Sequence, residues 1–548
     1  MTSQATGNRG LGRNSLVMAA GTAVSRLGGL VRNLLLVGII GTIGSVANAF
    51  DVANKLPNVM FAILAGGMLN AVLVPAIVKA FRAENSQERL DKLLTTSGVA
   101  ILVLTTILTA SSSVIVLLYT GTSWTEEQRA LATIFAFWCI PQLFFYGLYT
   151  LLGQVLNARE QFGPFMWAPV ANNVVSILGF GAFWLIYGGA PELGIRDPGD
   201  WDTPRTLLLA GTATLGIAAQ ALVLLVPLMR SGFTWNFRLG VRGIGLRAAG
   251  SVAGWTLAAV VLEQLGVMYL TRVASDAAES GNAAYSNALL IYLLPHSLVT
   301  VSIATALFTG LSKAAQDGAT DTVRTDLSLG IRTVGVFTVF ATAAFTVLAA
   351  PLTALIVPTA GEAGTAAIAP VLVALSLGLV PLGAMVLMKW VYYAYEDGRS
   401  VFWITVPSTL SLVLGLLAAQ LWLPREYWVV AAGASYALAN WVTVVLRTRG
   451  LRAMLGGRMD GGRILGLHAR ALVAAVVSGG LGWGLYQLLG GFGVLDFAHG
   501  MWATLLSGLW VSALCGVVML IVYVGLLRLL RVRELDTLLV PLRRRLRR

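Results

Sequence analysis

The chain has 548 residues, 57% of them apolar and 11% charged, with a mean hydropathy of +0.78. Its 38 basic and 25 acidic side chains cannot cover a soluble protein of this size, so most of its solvent is lipid. The net charge of +13 therefore reads as the basic bias of cytoplasmic loops rather than a nucleic-acid surface, while two separated cysteines and three scattered histidines offer no disulfide framework, metal site or His-based triad.

A bilayer span needs about 20 mostly apolar residues, and on that rule the chain holds fourteen. A polar, basic stretch, MTSQATGNRGLGRN, forms a cytoplasmic N-terminal tail (1–14). No A-x-A cleavage pattern closes the first apolar segment, so span 1 (15–40) is expected to be a retained helix, not a signal peptide. It contains SRLGGLVR, which sets Arg26 and Arg32 about 9 Å apart along a helix and about 120° apart around it. Gly28 and Gly29 between them permit a kink or a close helix approach. Arginine suits bidentate phosphate recognition, so these two are the leading candidates for binding an anion.

Span 2 (47–79) carries Pro57 and, at i,i+4, Asp51 and Lys55, which either pair locally or line a cavity. Spans 3 to 6 (93–119, 129–157, 162–187, 205–229) complete an N-lobe over 15–229. A basic cytoplasmic linker (230–244) leads into a C-lobe (245–447), with spans at 245–272, 281–312, 328–356, 367–393, 400–423 and 427–447. In span 7, Glu263 reads as the receptor of a coupling ion or proton, or as a partner for Arg272. Arg272 near the outer end of that span, and Lys389 a turn from the cytoplasmic end of span 10, either snorkel or face a cavity. A basic cytoplasmic loop (448–467) precedes the last pair of spans, 468–489 and 503–530, and a basic tail (531–548) suited to anionic lipid.

With the N-terminus inside, 29 of the 38 Lys and Arg fall in cytoplasmic regions and four in external loops. Both termini are thus expected in the cytoplasm. The longest external loop runs only from about Tyr187 to Pro204, which leaves no place for an external active site, and no enzymatic activity, metal or cofactor is expected. Five cations (Arg26, Arg32, Lys55, Arg272 and Lys389) against two acids (Asp51 and Glu263) leave +3 inside the spans. Such groups are costly in lipid, so the excess calls for a water-filled cationic chamber or an anionic ligand.

The halves echo each other. Span 4 ends in LLGQVLNAREQFGPF and span 10 in LMKWVYYAYEDGRSVF, each closing on a small-residue turn of mixed charge before an aromatic start to the next span. Duplication of this kind places a transporter's site between its lobes. The stretches SRLGGLVRNLLLVGIIG, ANAFDVANKLPN, LNAREQFGPFMWAPVANN and YYAYEDGRSVF resemble the MurJ/MviN family of lipid II flippases, within the multidrug/oligosaccharidyl-lipid/polysaccharide exporter superfamily. The likeness runs from about Ser15 to the last span.

The resemblance implies an all-α polytopic fold of about fourteen transmembrane helices: two pseudo-symmetric six-helix lobes plus a C-terminal pair (468–530) that forms a groove for a lipid tail. It implies movement of undecaprenyl-pyrophosphate-linked peptidoglycan precursor to the outer leaflet of the cytoplasmic membrane, by alternating access through a cationic cavity. Arg26, Arg32 and Lys55 match the family's cations. Elsewhere the chain departs from the pattern: Asn33, Asn48 and Gly66 stand where many members have an acid, Phe61 and Ala62 where they have an arginine pair, and Leu290 where an arginine is common. Arg272 and Lys389 are candidate substitutes, and Asp51 is expected to replace the acid at Asn48, which itself should matter little. Some actinobacterial relatives continue into a cytoplasmic pseudokinase-like domain, whereas this sequence stops at LRRRLRR.

Expected partners are lipid II, anionic lipids at the basic loops and tail, and proteins of cell-wall synthesis or division; nucleic acid is not among them. The rival reading is an exporter of another polyprenyl-linked glycan with the same fold. A drug/cation antiporter would need a net acidic core, and a scaffold gives no reason to keep Arg26 and Arg32 in the membrane. The energy source and any coupling ion are not legible.

Overall fold

Hydrocarbon offers no partner to a backbone amide, so a chain this apolar must satisfy its N–H and C=O groups within each segment. The computed structural model describes residues 3–65, 86–159, 161–189, 197–240, 250–277, 281–532 and 534, and among them it has helices and turns but no strand. Thirteen of these helices are long and apolar enough to cross a membrane, and Leu379–Ala394 is a shorter apolar one. The second expected span is α2, whose continuation over 66–79 lies outside the described residues, as do parts of the linker (241–244) and tail (535–548).

The chain divides into two compact units, Met1–Gln264 and Leu265–Arg548, a division that falls inside one helix rather than in the linker expected at 230–244. The first unit comprises α1 (Ser3–Ile40), α2 (Ser45–Leu64), α3 (Ser86–Ala110), α4 (Ser112–Tyr119), α5 (Glu126–Cys139), α6 (Gln142–Ala158), α7 (Phe162–Tyr187), α8 (Thr203–Arg230) and the start of α9 (Gly250–Ser275). No proline interrupts the first forty residues, and α1 is already helical from Ser3, across the stretch expected as a tail. It packs along α7, and a Cβ on Gly28 would meet Asn173 Cβ at 3.1 Å. Apolar burial does not drive helices together in lipid, so small residues that permit close approach take over. Of the two roles open to the glycines, Gly28 serves close approach, and the helix stays unbroken.

In the second unit follow α10 (Gly281–Pro295), α11 (Val301–Gln316), α12 (Thr320–Ile356), α13 (Gly361–Ser376), α14 (Leu379–Ala394), α15 (Gly398–Trp422), α16 (Trp428–Met454), α17 (Gly461–Leu488) and α18 (Met501–Leu529). The sequence repeat has a structural counterpart. The fourth span is broken into α5 and α6 at Ile140 and Pro141, and the tenth into α13 and α14 at Leu377 and Gly378. The basic loop expected over 448–467 is mostly helix, since α16 runs to Met454 and α17 begins at Gly461. Hydropathy marks where lipid ends, whereas a helix continues until its backbone bonds meet a stop.

The long helix α12 is the axis of this unit and packs against α13, α14, α17 and α18. Pro351 lacks an N–H and its ring presses on the preceding turn, which bends α12 at Leu348 (φ −107°, ψ 21°). The last helix, α18, docks on α12 through Tyr523, whose hydroxyl donates to the Val336 carbonyl at 2.8 Å, and through Gly508. A Cβ on Gly508 would lie 2.7 Å from Leu355 N and 2.8 Å from Pro351 O, both rigid backbone atoms. Overpacking of this kind costs about 1–3 kcal/mol. Gly508→Ala is therefore expected to lower the Tm of the purified protein in detergent, whereas Gly525→Ala, which meets no atom within 4 Å, should leave it unchanged.

Candidate functional site

On α2 the residues Asp51, Asn54, Lys55 and Asn58 fall at i, i+3, i+4 and i+7, a polar stripe along one face of a membrane helix. Lys55 Nζ lies 3.3 Å from Asp51 Oδ2, and the two side chains are 20% and 22% exposed. The local pair expected from the i,i+4 spacing is thus made, on a half-buried surface. Below it, Asn58 Nδ2 donates to the Asn54 carbonyl at 3.3 Å, and Asn54 Oδ1 accepts from Gln142 Nε2 of α6 at 3.3 Å. Gln142 also donates to Thr214 Oγ1 of α8 at 3.2 Å, and the Thr214 hydroxyl donates to the Trp138 carbonyl of α5 at 2.6 Å. Polar groups from four helices satisfy one another here, as partly buried polar groups require.

Arg32 borders this cluster on the side of Tyr146, one helical turn after Gln142 on α6. The half-buried Arg32 guanidinium lies in the neighbourhood of Tyr146, whose hydroxyl in turn lies near the Asn58 side chain. The Tyr146 ring packs on Phe61, with centroids 5.3 Å apart. Arg26 points elsewhere: it is exposed, beside Ser25, whose carbonyl accepts from Asn173 Nδ2 at 2.6 Å. Of the four first-unit candidates, Arg32, Asp51 and Lys55 thus border one polar cluster, and Arg26 occupies a different face of α1.

Asn48 needs a correction. Its side chain is 7% exposed and engaged in a polar interaction, so Asn48→Ala would remove a buried contact rather than be silent.

The remaining candidates are more dispersed. Arg272 stands in the last turn of α9, where a cation suits the helix dipole, and Tyr269 three residues earlier donates from its hydroxyl to Gln420 Oε1 at 2.6 Å. Lys389 extends toward the end of α14, its Nζ 5.7 Å from the Tyr393 ring centroid, which is the direction of snorkelling. Glu263 is exposed, and nine residues along one helix turn a side chain to the opposite face, so the spacing disfavours a pair with Arg272.

Reading the sequence passed over Asn54, Asn58, Gln142, Tyr146 and His296. The first four carried a signal, since polar residues at helical spacing inside apolar spans mark an interior face. His296 opens a π-helical turn (His296–Thr300), and its buried Nδ1 has no hydrogen-bond partner in the structure. Turns of that kind recur at functional sites. No cluster of His, Cys, Asp or Glu suited to a metal occurs among the described residues.

About fourteen apolar helices and two units with matching broken helices define a polytopic helical membrane protein. The sequence model of the family described as "Lipid II flippase MurJ" matches residues 37–501. The chain belongs to that family, and it is a multi-pass inner-membrane protein of a transporter class rather than a class of catalytic enzymes. It is 24% identical to the probable lipid II flippase MurJ of Vibrio cholerae over 88% of this chain and 90% of that protein. The corresponding figures for the probable lipid II flippase MurJ of Rhizobium meliloti are 26%, 84% and 84%. Its fold matches a solved lipid II flippase MurJ in an inward closed conformation (TM-score 0.69, 17% identity, 94% of this chain and 99% of that one). It also matches an inward-facing multidrug resistance MATE family transporter of the MOP superfamily (TM-score 0.63, 16% identity, 80% and 98%).

The Tyr146 hydroxyl lies near both Arg32 and the α2 stripe. Tyr146→Phe keeps the ring contact with Phe61 and removes only a hydroxyl worth about 0.5–1.5 kcal/mol. It should slow transport in a reconstituted flipping assay while moving the Tm by only a few degrees. An unchanged transport rate would show that the hydroxyl is not used.

Proposed function

We propose that this protein carries lipid II, the undecaprenyl-pyrophosphate-linked peptidoglycan precursor, from the cytoplasmic to the outer leaflet by alternating access through a central cationic cavity. The observation that carries the reading is that Arg32 and the Asp51–Lys55 pair border one polar cluster among apolar helices, in a chain of the lipid II flippase family. A pyrophosphate brings the negative charge that an excess of cations there requires. Arg32 and Lys55 bind it on the α2 side of the cavity, and Arg26 meets it from the neighbouring face of α1. Arg272 and Lys389 are the candidate cations of the second unit, and His296 is a candidate polar group within it. Both termini lie in the cytoplasm, in keeping with the 29-to-4 division of basic residues.

Asp51 is the counter-ion of the resting site. With no substrate bound it pairs with Lys55. When pyrophosphate arrives Lys55 changes partner, and when it leaves Asp51 recaptures the lysine. An anion held equally well in every state would not move, so this competition favours release.

Depleting the protein should leave lipid II inaccessible to probes of the outer leaflet, and the wild-type chain should restore access. Restoration of a different polyprenyl-linked glycan instead would favour the rival exporter. Arg26→Ala and Arg32→Ala should each abolish complementation at normal protein levels, since losing a charge-assisted bond costs about 1.5–3 kcal/mol, roughly tenfold to a hundredfold in affinity. Lysine at either position should rescue in part, because a point charge cannot reproduce the guanidinium fork. Asp51→Asn should bind lipid II as tightly as the wild type or more so, yet transport it more slowly. Weaker binding in that variant would remove the counter-ion role.

A further inference from the structure

The stretch that leaves α8 is pinned along its length. From Phe233 to Gly240 it has no regular structure, yet side chains of two helices hold it. Arg159, which caps α6, donates from Nη1 to the Ser231 carbonyl at 2.9 Å and to Ser231 Oγ at 2.8 Å, and its guanidinium lies 5.3 Å from the Phe233 ring centroid. On α3, Thr95 Oγ1 accepts from Trp235 Nε1 at 3.0 Å and from the Arg238 backbone N–H at 3.3 Å. One turn of chain further, Thr96 Oγ1 both accepts from Gly240 N and donates to Gly240 O at 3.2 Å. Between these clips, Asn236 Nδ2 donates to the buried Asp91 carboxylate at 3.3 Å. Few loops are held by so many side-chain bonds, and the conformation they enforce turns large apolar groups outward.

Trp235, Phe237 and Leu239 are 56%, 67% and 59% exposed. They occupy every second position, the spacing at which an extended chain presents one side. Leu222, Val226 and Met229 are exposed on α8 at i, i+4 and i+7, an apolar stripe on the span that leads into the segment. The charge around it is basic: Arg89 and Arg230 are exposed, and Lys92 and Arg238 share the single carboxylate of Glu88 at 2.7 and 3.7 Å. Aromatic side chains backed by arginine at the end of a span mark the boundary between hydrocarbon and headgroups.

We propose that residues 231–240 form a membrane-interface strap, in which Trp235, Phe237 and Leu239 enter the headgroup boundary of an anionic leaflet while Arg230 and Arg238 meet its phosphates. The bonds from Arg159, Thr95 and Thr96 supply rigidity, so the apolar side chains are set for insertion before lipid arrives, and Arg159 is a positioning residue for the strap. The proposal rests on the protein's being embedded in a membrane and not on what it transports.

The test uses the full chain with Cys139→Ala and Cys515→Ala and a bimane label at Leu239→Cys, in vesicles of phosphatidylethanolamine and phosphatidylglycerol. Leu178→Cys on α7 is the lipid-facing control, and His499→Cys, in the loop before α18, is the water-facing one. The label at position 239 should be quenched by shallow brominated lipids and shielded from aqueous iodide, as at 178; a second probe at Phe237→Cys should agree. Arg230→Gln and Arg238→Gln should each lower the inserted-to-exposed ratio about fivefold, the effect of one basic residue near an anionic surface. Replacing phosphatidylglycerol by phosphatidylcholine should do the same without mutation. Iodide quenching at 239 equal to that at 499 would overturn the proposal. So would protection seen in native membranes but not in vesicles, which would assign the surface to a protein partner.

Discussion

The desolvation cost of a charge in hydrocarbon governs how this protein is built. Isolated in lipid, an ionised side chain is so unfavourable that it must be paired, led to an interface or placed in a wet interior. Each of these solutions is present. Lys55 pairs with Asp51, Lys389 extends over Tyr393 toward the end of its helix, and Arg32 stands near Tyr146 beside a network of Asn54, Gln142 and Thr214. Because the network spans α2, α5, α6 and α8, it also helps to set how those helices meet. The cluster proposed to receive an anion thus also orders part of the first unit.

Lipid also changes what holds helices together. Without a hydrophobic force between apolar surfaces, the contacts that matter are close approaches and interhelical hydrogen bonds. Gly28 against Asn173 serves α1 and α7, while Gly508 against the backbone at Pro351 and Leu355 serves α12 and α18. The Tyr523 bond to Val336 and the bond from Gln142 to Thr214 are of the second kind. Proline and glycine then place the breaks: Pro141 between α5 and α6, Gly378 between α13 and α14, and Pro351 within α12. The recurrence of a broken span at corresponding places gives the repeat a mechanical meaning, since such spans are where a rigid bundle can bend.

The strap lies where the two solvents meet. Its backbone has no helix to satisfy it, so side chains of α3 and the cap of α6 do so instead. The basic charge that made 230–244 look like an ordinary cytoplasmic linker did not distinguish a solvated loop from a pinned one. Arg159 shows the same limit: in sequence it belongs to a motif, and only the fold reveals that it grips Ser231 and Phe233.

Composition and hydropathy alone determined that the chain is a membrane protein of about fourteen helices, because the length of an apolar run must match the thickness of hydrocarbon. The i,i+4 spacing of Asp51 and Lys55 made a local pair one of two open readings, and the structure has that pair, since neighbours on one helix need no tertiary contact to meet. Helix ends were less legible: α1 begins at Ser3 and α16 continues to Met454, beyond the lipid-matched segments, because hydropathy does not sense backbone hydrogen bonding. Relations between helices lay outside the sequence altogether. Whether Arg26 or Arg32 borders the polar cluster, that Arg32 stands near Tyr146, that Asn48 is buried, and that Trp235, Phe237 and Leu239 are exposed depend on the rotation of each helix about its axis and on which neighbour it meets. Residue spacing fixes positions only within one helix, and the packing of several helices decides the rest.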